Sequence, residues 1–200
     1  MIRKLSERIV DKQIDQNVLS ASDRSIYIYG YQTMIELSII IVLAAVITII
    51  SGEILIIVGF CVAFIPLRIY SGGWHAKSIF VCAIVSGVVI YGVTIAYRYL
   101  EMIDAIYGLT LEAILCIAMA VLSPAETKEK PLSQNEMKRY QKYVINTLLV
   151  ELTVSIIDAM YFGRVLYALI IYVVCVQGIN IMLAYLTNSI NTIKRIYTAK

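Results

Sequence analysis

The one histidine of this 200-residue chain, His75, stands seven positions before a cysteine, Cys82, and two positions after the pair Gly72-Gly73. A cysteine attacks a carbonyl carbon as the thiolate, and an imidazole within reach is the usual acceptor of its proton. Histidine and cysteine together are therefore the minimum set for a thiol nucleophile with its own base. The two glycines let the backbone turn sharply and let a second chain come close. The same residues also fit a plainer arrangement, in which an interfacial histidine reaches out to water and an apolar cysteine is buried. On one straight helix, positions 75 and 82 share a face but lie about 10.5 Å apart along the axis. For direct proton transfer His75 must therefore sit in a loop or a distorted first turn, folded back toward Cys82 by the glycines.

The elements that position these residues are set by hydrophobicity. Sixty per cent of the chain is hydrophobic, 16% is charged and the mean hydropathy is +0.80, the profile of an integral membrane protein. Apolar stretches run over approximately 33–51, 54–67, 78–97, 105–122, 143–160 and 165–186. Most are close to the roughly 20 residues a spanning helix needs, and 54–67 reaches that length if Arg68 and Tyr70 snorkel at its end. The expected fold is all-α: a polytopic membrane protein with six transmembrane helices over 33–200 and an N-terminal amphipathic interfacial helix within 1–32. In that first segment Ile2, Leu5, Ile9, Ile14 and Val18 recur at roughly helical spacing among charges, which suits a helix on the inner leaflet or an amphipathic cytosolic cap. The first long apolar run begins too late for a cleavable leader, so none is expected.

Basic residues set the orientation. Of 17 Lys and Arg, fifteen fall on one side of a six-helix path and two on the other. The positive-inside rule then puts both termini, the His75 loop and loop 123–142 in the cytoplasm of a cell-membrane protein. These cations serve topology and lipid contact, and the net charge of +3 calls for no nucleic-acid partner. Cys61, Cys116 and Cys175 lie inside apolar stretches, with no C-x-x-C pair and no ligand spacing, so neither a metal nor another cofactor is expected.

Carboxylates inside apolar stretches are costly and need a reason. Glu112, Glu151 and Asp158 are expected to pair with Gln177, Asn180 or backbone groups and fix helix packing, or to be relieved by a second copy, which makes a homodimer plausible. Glu36 lies at about the depth of Cys82 and is the candidate for orienting His75. Between the fourth and fifth apolar runs, two prolines bracket a charged run from Pro124 to Pro131, and Ser133 with Glu136 has the spacing of a helix capping box.

Pro66-Leu67-Arg68, then Gly72-Gly73-Trp74-His75-Ala76 and Cys82, with Pro124-Ala125-Glu126 through Lys130-Pro131 further on, resembles the accessory gene regulator B (AgrB) family. Those are membrane cysteine endopeptidases of bacterial quorum sensing. The likeness covers length, hydropathy, topology and both motif regions. It implies a precursor peptide substrate (AgrD-like) with an amphipathic leader, a signal core and an acidic C-terminal tail, cut at the core–tail junction on the cytoplasmic side. The core is then held as a thioester and released as a cyclic thiolactone or lactone. By match, Cys82 is the nucleophile and His75 the general base and acid. Arg68 would hold the acidic tail or a peptide carboxylate, and Gly72 and Gly73 would admit the extended substrate backbone. The competing expectation is a small multi-pass transporter or peptide exporter without covalent chemistry, its carboxylates lining a path; such a protein would work without Cys82.

Overall fold

A computed structural model describes residues 2–74, 78–125 and 133–198, with the side chains of residues 2, 3, 29, 33, 36, 79, 188 and 190–198 left out of the description. Among these residues the chain forms α-helices α1 (Ile2–Asp15), α2 (Arg24–Ser51), α3 (Ile54–Ser71), α4 (Ile79–Leu100), α5 (Ala105–Leu122), α6 (Gln134–Tyr161) and α7 (Val165–Thr198), with one 3-10 turn at Ala21–Asp23 and no strand. The six helices α2 to α7 are long and apolar enough to cross a membrane. They correspond to the six apolar stretches. Several run past them: α2 begins at Arg24, α6 at Gln134, and α7 continues to Thr198. Hydropathy reports where side chains leave lipid, whereas a helix ends where its backbone hydrogen bonds end.

Local chemistry accounts for those ends. Gly52 takes the left-handed conformation (φ 73°) and returns its N–H to the Thr48 carbonyl, closing α2. Ser133 and Glu136 form the expected capping box at the start of α6. The carboxylate of Asp158 accepts the Tyr167 N–H at 2.9 Å, satisfying one of the orphan donors in the first turn of α7. That gives one of the costly carboxylates a structural purpose.

The chain divides into two compact units. The first holds residues 1–52 and 76–89. In it α1 packs on α2; Ser6 and Val10 of α1 are buried while Lys4, Arg8 and Lys12 are exposed. Arg24 grips Asp11 with two hydrogen bonds, at 2.7 and 3.0 Å, and this guanidinium holds the Asp11 carboxyl below its usual value. Asn17 closes α1 in a left-handed conformation (φ 56°), with Val18 N–H on the Gln13 carbonyl and Asn17 N–H on that of Ile14, a Schellman arrangement.

The second unit holds residues 53–75 and 90–200. Helices α3, α5 and α6 all pack on α7, and α6 also packs on α3 and α5. Tyr167 through Ile171, Val173 and Val174 are all buried, so α7 is covered on every side from Tyr167 to Ile171, as a central helix must be. The outward residues are apolar as well, among them Leu55, Val62, Ile106, Ile117 and Val121. Such a surface is stable against lipid and aggregation-prone in water. Close approach relies on glycine where needed: a Cβ on Gly108 would run into the Tyr167 ring hydroxyl.

Glu112 and Glu151 face inward. Glu112 takes a hydrogen bond from the Ser155 hydroxyl at 2.6 Å. Its second oxygen and both oxygens of Glu151 are buried with no hydrogen-bond partner among the described residues. These atoms are sealed inside the unit, away from the lipid face where a second copy would reach them. The expected pairing with Gln177 or Asn180 does not occur; those two amides are spent elsewhere.

Candidate functional site

The Gly-Gly motif sits where α3 gives way to a turn. Gly72 has φ 70° and ψ −147° and Gly73 has φ 131°, conformations that glycine takes cheaply and other residues do not. The sharp turn expected from the sequence is present. The reason for glycine is partly steric as well, because a Cβ on Gly72 would lie 2.6 Å from the Ala125 carbonyl oxygen, and one on Gly73 would meet the Arg68 guanidinium and lie 2.8 Å from Asn180 Nδ2.

Hydrogen bonds reach this turn from three places: the start of the Pro124-Ala125 motif, Arg68 and α7. Ser71 O accepts the Ala125 N–H at 2.9 Å, and Gly72 and Ala125 form an isolated parallel bridge. This brings the beginning of the Pro124-Ala125 motif against the Gly-Gly motif. Arg68, in the last turn of α3, bends over the turn: Nη1 donates to Gly72 O at 2.8 Å and Nη2 to Trp74 O at 2.7 Å. From α7, Gln177 Nε2 donates to Ser71 Oγ at 2.5 Å and to Gly72 O at 2.9 Å. Asn180 Nδ2 donates to Gln177 Oε1 at 3.2 Å, and the Asn180 backbone carbonyl accepts the Trp74 N–H at 3.2 Å. The Ser71 hydroxyl itself donates to Leu67 O at 2.7 Å.

Cys82 lies in the first turn of α4, half-buried, with its N–H on the Ser78 carbonyl at 3.0 Å. Ser78 stands in a bend outside the helix, so positions 75 and 82 do not share one continuous helix. His75 itself, with Ala76 and Lys77, lies outside the described residues, as does the stretch from Glu126 to Leu132. Glu36 lies on α2, and its side chain is also outside the description. Among the sequence-derived site residues, the fold thus brings Arg68, Gly72 and Gly73 into one network. Ser71, Ala125, Gln177 and Asn180 belong to that network and were not singled out as site residues. The available signal was two amides three residues apart, hence on one face of an otherwise apolar helix.

The model of the family described as accessory gene regulator B matches residues 2–190. The chain belongs to that family. A protein described as AgrB-like from Lactiplantibacillus plantarum is 22% identical over 144 residues, which cover 72% of each chain. No solved structure matches. Membership in the AgrB family, together with the six apolar helices, makes this a multi-pass membrane protein with a role in processing a quorum-sensing peptide, and it implies a precursor of the AgrD type as substrate.

Proposed function

We propose that the chain is a cysteine endopeptidase that removes the C-terminal tail of a quorum-sensing precursor and cyclises the remaining core. The observation that supports this reading is the match to the AgrB family over residues 2–190, beside a Gly-Gly turn at 71–74 held by Arg68, Gln177 and Asn180. A thiol follows at Cys82, in the first turn of a helix, where the N-terminal dipole favours an anion. His75 takes the proton of the Cys82 thiol, and the thiolate attacks the carbonyl at the core–tail junction. The peptide C–N bond breaks as His75 returns that proton to the departing tail amine, leaving the core as an acyl thioester on Cys82. A cysteine thiol or serine hydroxyl within the core then attacks the thioester, its proton passing through His75 to the released Cys82 thiolate. The product is a thiolactone or lactone. Exclusion of water near the lipid boundary favours ring closure over hydrolysis.

Arg68 serves this reaction twice, through the turn it bonds and through a positive charge for an acidic tail. Gly72 and Gly73 do not admit the substrate backbone as the sequence suggested, because Ala125, Arg68 and Asn180 of the chain itself fill the space beside them; they serve the turn, and Glu36 orients the His75 imidazole. The distribution of basic residues favours both termini and the reaction on the cytoplasmic face, with membrane lipid as a surface partner; the sealed position of Glu112 and Glu151 removes the reason for expecting a homodimer. The decisive experiment uses membranes containing the chain and its cognate precursor. Wild type should release the tail and carry a hydroxylamine-sensitive adduct on Cys82. Cys82→Ala should release nothing, and His75→Ala should lose roughly 10²–10⁴-fold or more. Replacing Cys61, Cys116 and Cys175 together should leave cleavage near normal. Tail release by Cys82→Ala at the wild-type rate refutes the assignment and favours a transporter.

A further inference from the structure

Three features of the turn at 71–74 demand an outside anchor. Its φ values of 70° and 131° hold only when surrounding contacts over-determine them. Its carbonyls leave a helix end, where unbonded groups are expensive once water is excluded. Arg68, its nearest donor, is carried by α3 itself, so Arg68 can shape the turn but moves wherever α3 moves.

The anchor comes from α7. Gln177 is completely buried, and it spends its amide on the turn: the nitrogen on Ser71 Oγ and Gly72 O, the oxygen on Asn180 Nδ2. Asn180 adds its own backbone carbonyl to Trp74 N–H, and Gly73 packs directly against its side chain. A fully desolvated amide in an apolar helix contributes little net stability over a packed hydrocarbon, but it enforces one geometry because every other geometry leaves it unsatisfied. A carboxylate would not serve at position 177, since it has no proton to offer Gly72 O. Trp74 is the last described residue before His75 in the chain, and it is held in this way.

We infer that Gln177 and Asn180 are positioning residues for the cleavage reaction: through Ser71, Gly72 and Trp74 they lock the Gly-Gly turn to α7 and so set where His75 enters the site. This inference rests on the peptidase reading above.

The test replaces Gln177 by methionine, which keeps length and volume and removes the hydrogen bonds. Gln141→Met is the control, because Gln141 donates a comparable helix-to-backbone bond to Ala120 O at 3.1 Å, away from the turn. In membranes with the cognate precursor, Gln177→Met should lower kcat on the order of 10²-fold, with KM changed less than about threefold. The limb of the kcat–pH profile set by His75 should move. In a chain with Cys61, Cys116 and Cys175 replaced, Cys82 alkylation by iodoacetamide at neutral pH should slow. Gln141→Met should leave all three readouts at wild type. If Gln177→Met fails to insert, Asn180→Ala keeps the backbone carbonyl and removes only the amide that supports Gln177; it should show the same kcat and pH signature at smaller amplitude. Wild-type kcat and pH profile in a well-inserted Gln177→Met, or in Asn180→Ala, overturn the positioning role and leave the peptidase reading intact. Activity of Cys82→Ala overturns the peptidase reading instead, and hydrogen-exchange protection of the Trp74 amide, which donates to Asn180 O, still reports on the turn.

Discussion

Replacing Gly72 by alanine tests the turn at its most constrained point. At φ 70° and ψ −147° an L-residue sits in a region that costs about 1–3 kcal/mol. The new Cβ would also lie 2.6 Å from the Ala125 carbonyl oxygen, which belongs to backbone and cannot swing aside like a side-chain tip. Relief requires Ala125 to withdraw, breaking its N–H bond to Ser71 O at 2.9 Å, for about 0.5–1.5 kcal/mol more. The sum is about 1.5–4.5 kcal/mol against the closed turn, which corresponds to roughly 10- to 2 × 10³-fold in its population. Amide hydrogen exchange in detergent reads this without any substrate. The Ala125 and Trp74 amides, both donors in the wild-type turn, should lose protection by that factor, and tail release should fall with them. Gly87→Ala is the matched control, because nothing lies within 4 Å of a Cβ there and alanine favours the helix. Unchanged protection at Ala125 and Trp74 in Gly72→Ala would refute the argument that steric and conformational demands select glycine here.

Two further outcomes follow from the same geometry and charge pattern. Cysteines introduced at positions 3, 130 and 198, in a chain with the native cysteines replaced, should resist an impermeant thiol reagent in intact cells; labelling at any of them contradicts the cytoplasmic placement drawn from the basic residues. Glu151→Leu should raise the thermal midpoint in detergent, because both carboxyl oxygens are buried without a partner among the described residues and such a group costs about 1–3 kcal/mol. A lowered midpoint would show that the Glu151 carboxyl stabilises the unit.

The number of spanning helices, the class of fold, the Gly52 and Ser133 helix boundaries and the conspicuous His75 and Cys82 pair were all readable from the sequence. Each depends on a residue's own transfer free energy or on partners within one helical turn, and such properties survive in one dimension. What only the tertiary structure decided is which buried polar groups meet. Gln177 stands 106 residues from Ser71, and no local rule distinguishes an amide that bonds a distant backbone turn from one that pairs with Glu112 or Asp158. From the sequence, those amides and backbone groups were equally open partners for the carboxylates, because all are polar and intramembrane. In the fold, Glu112 found Ser155 and Asp158 found the start of α7, which left Gln177 and Asn180 to hold the turn. The glycines show the same division. Their freedom to turn is intrinsic, whereas the carbonyl of Ala125 pressed against Gly72 exists only because packing brought two distant motifs together.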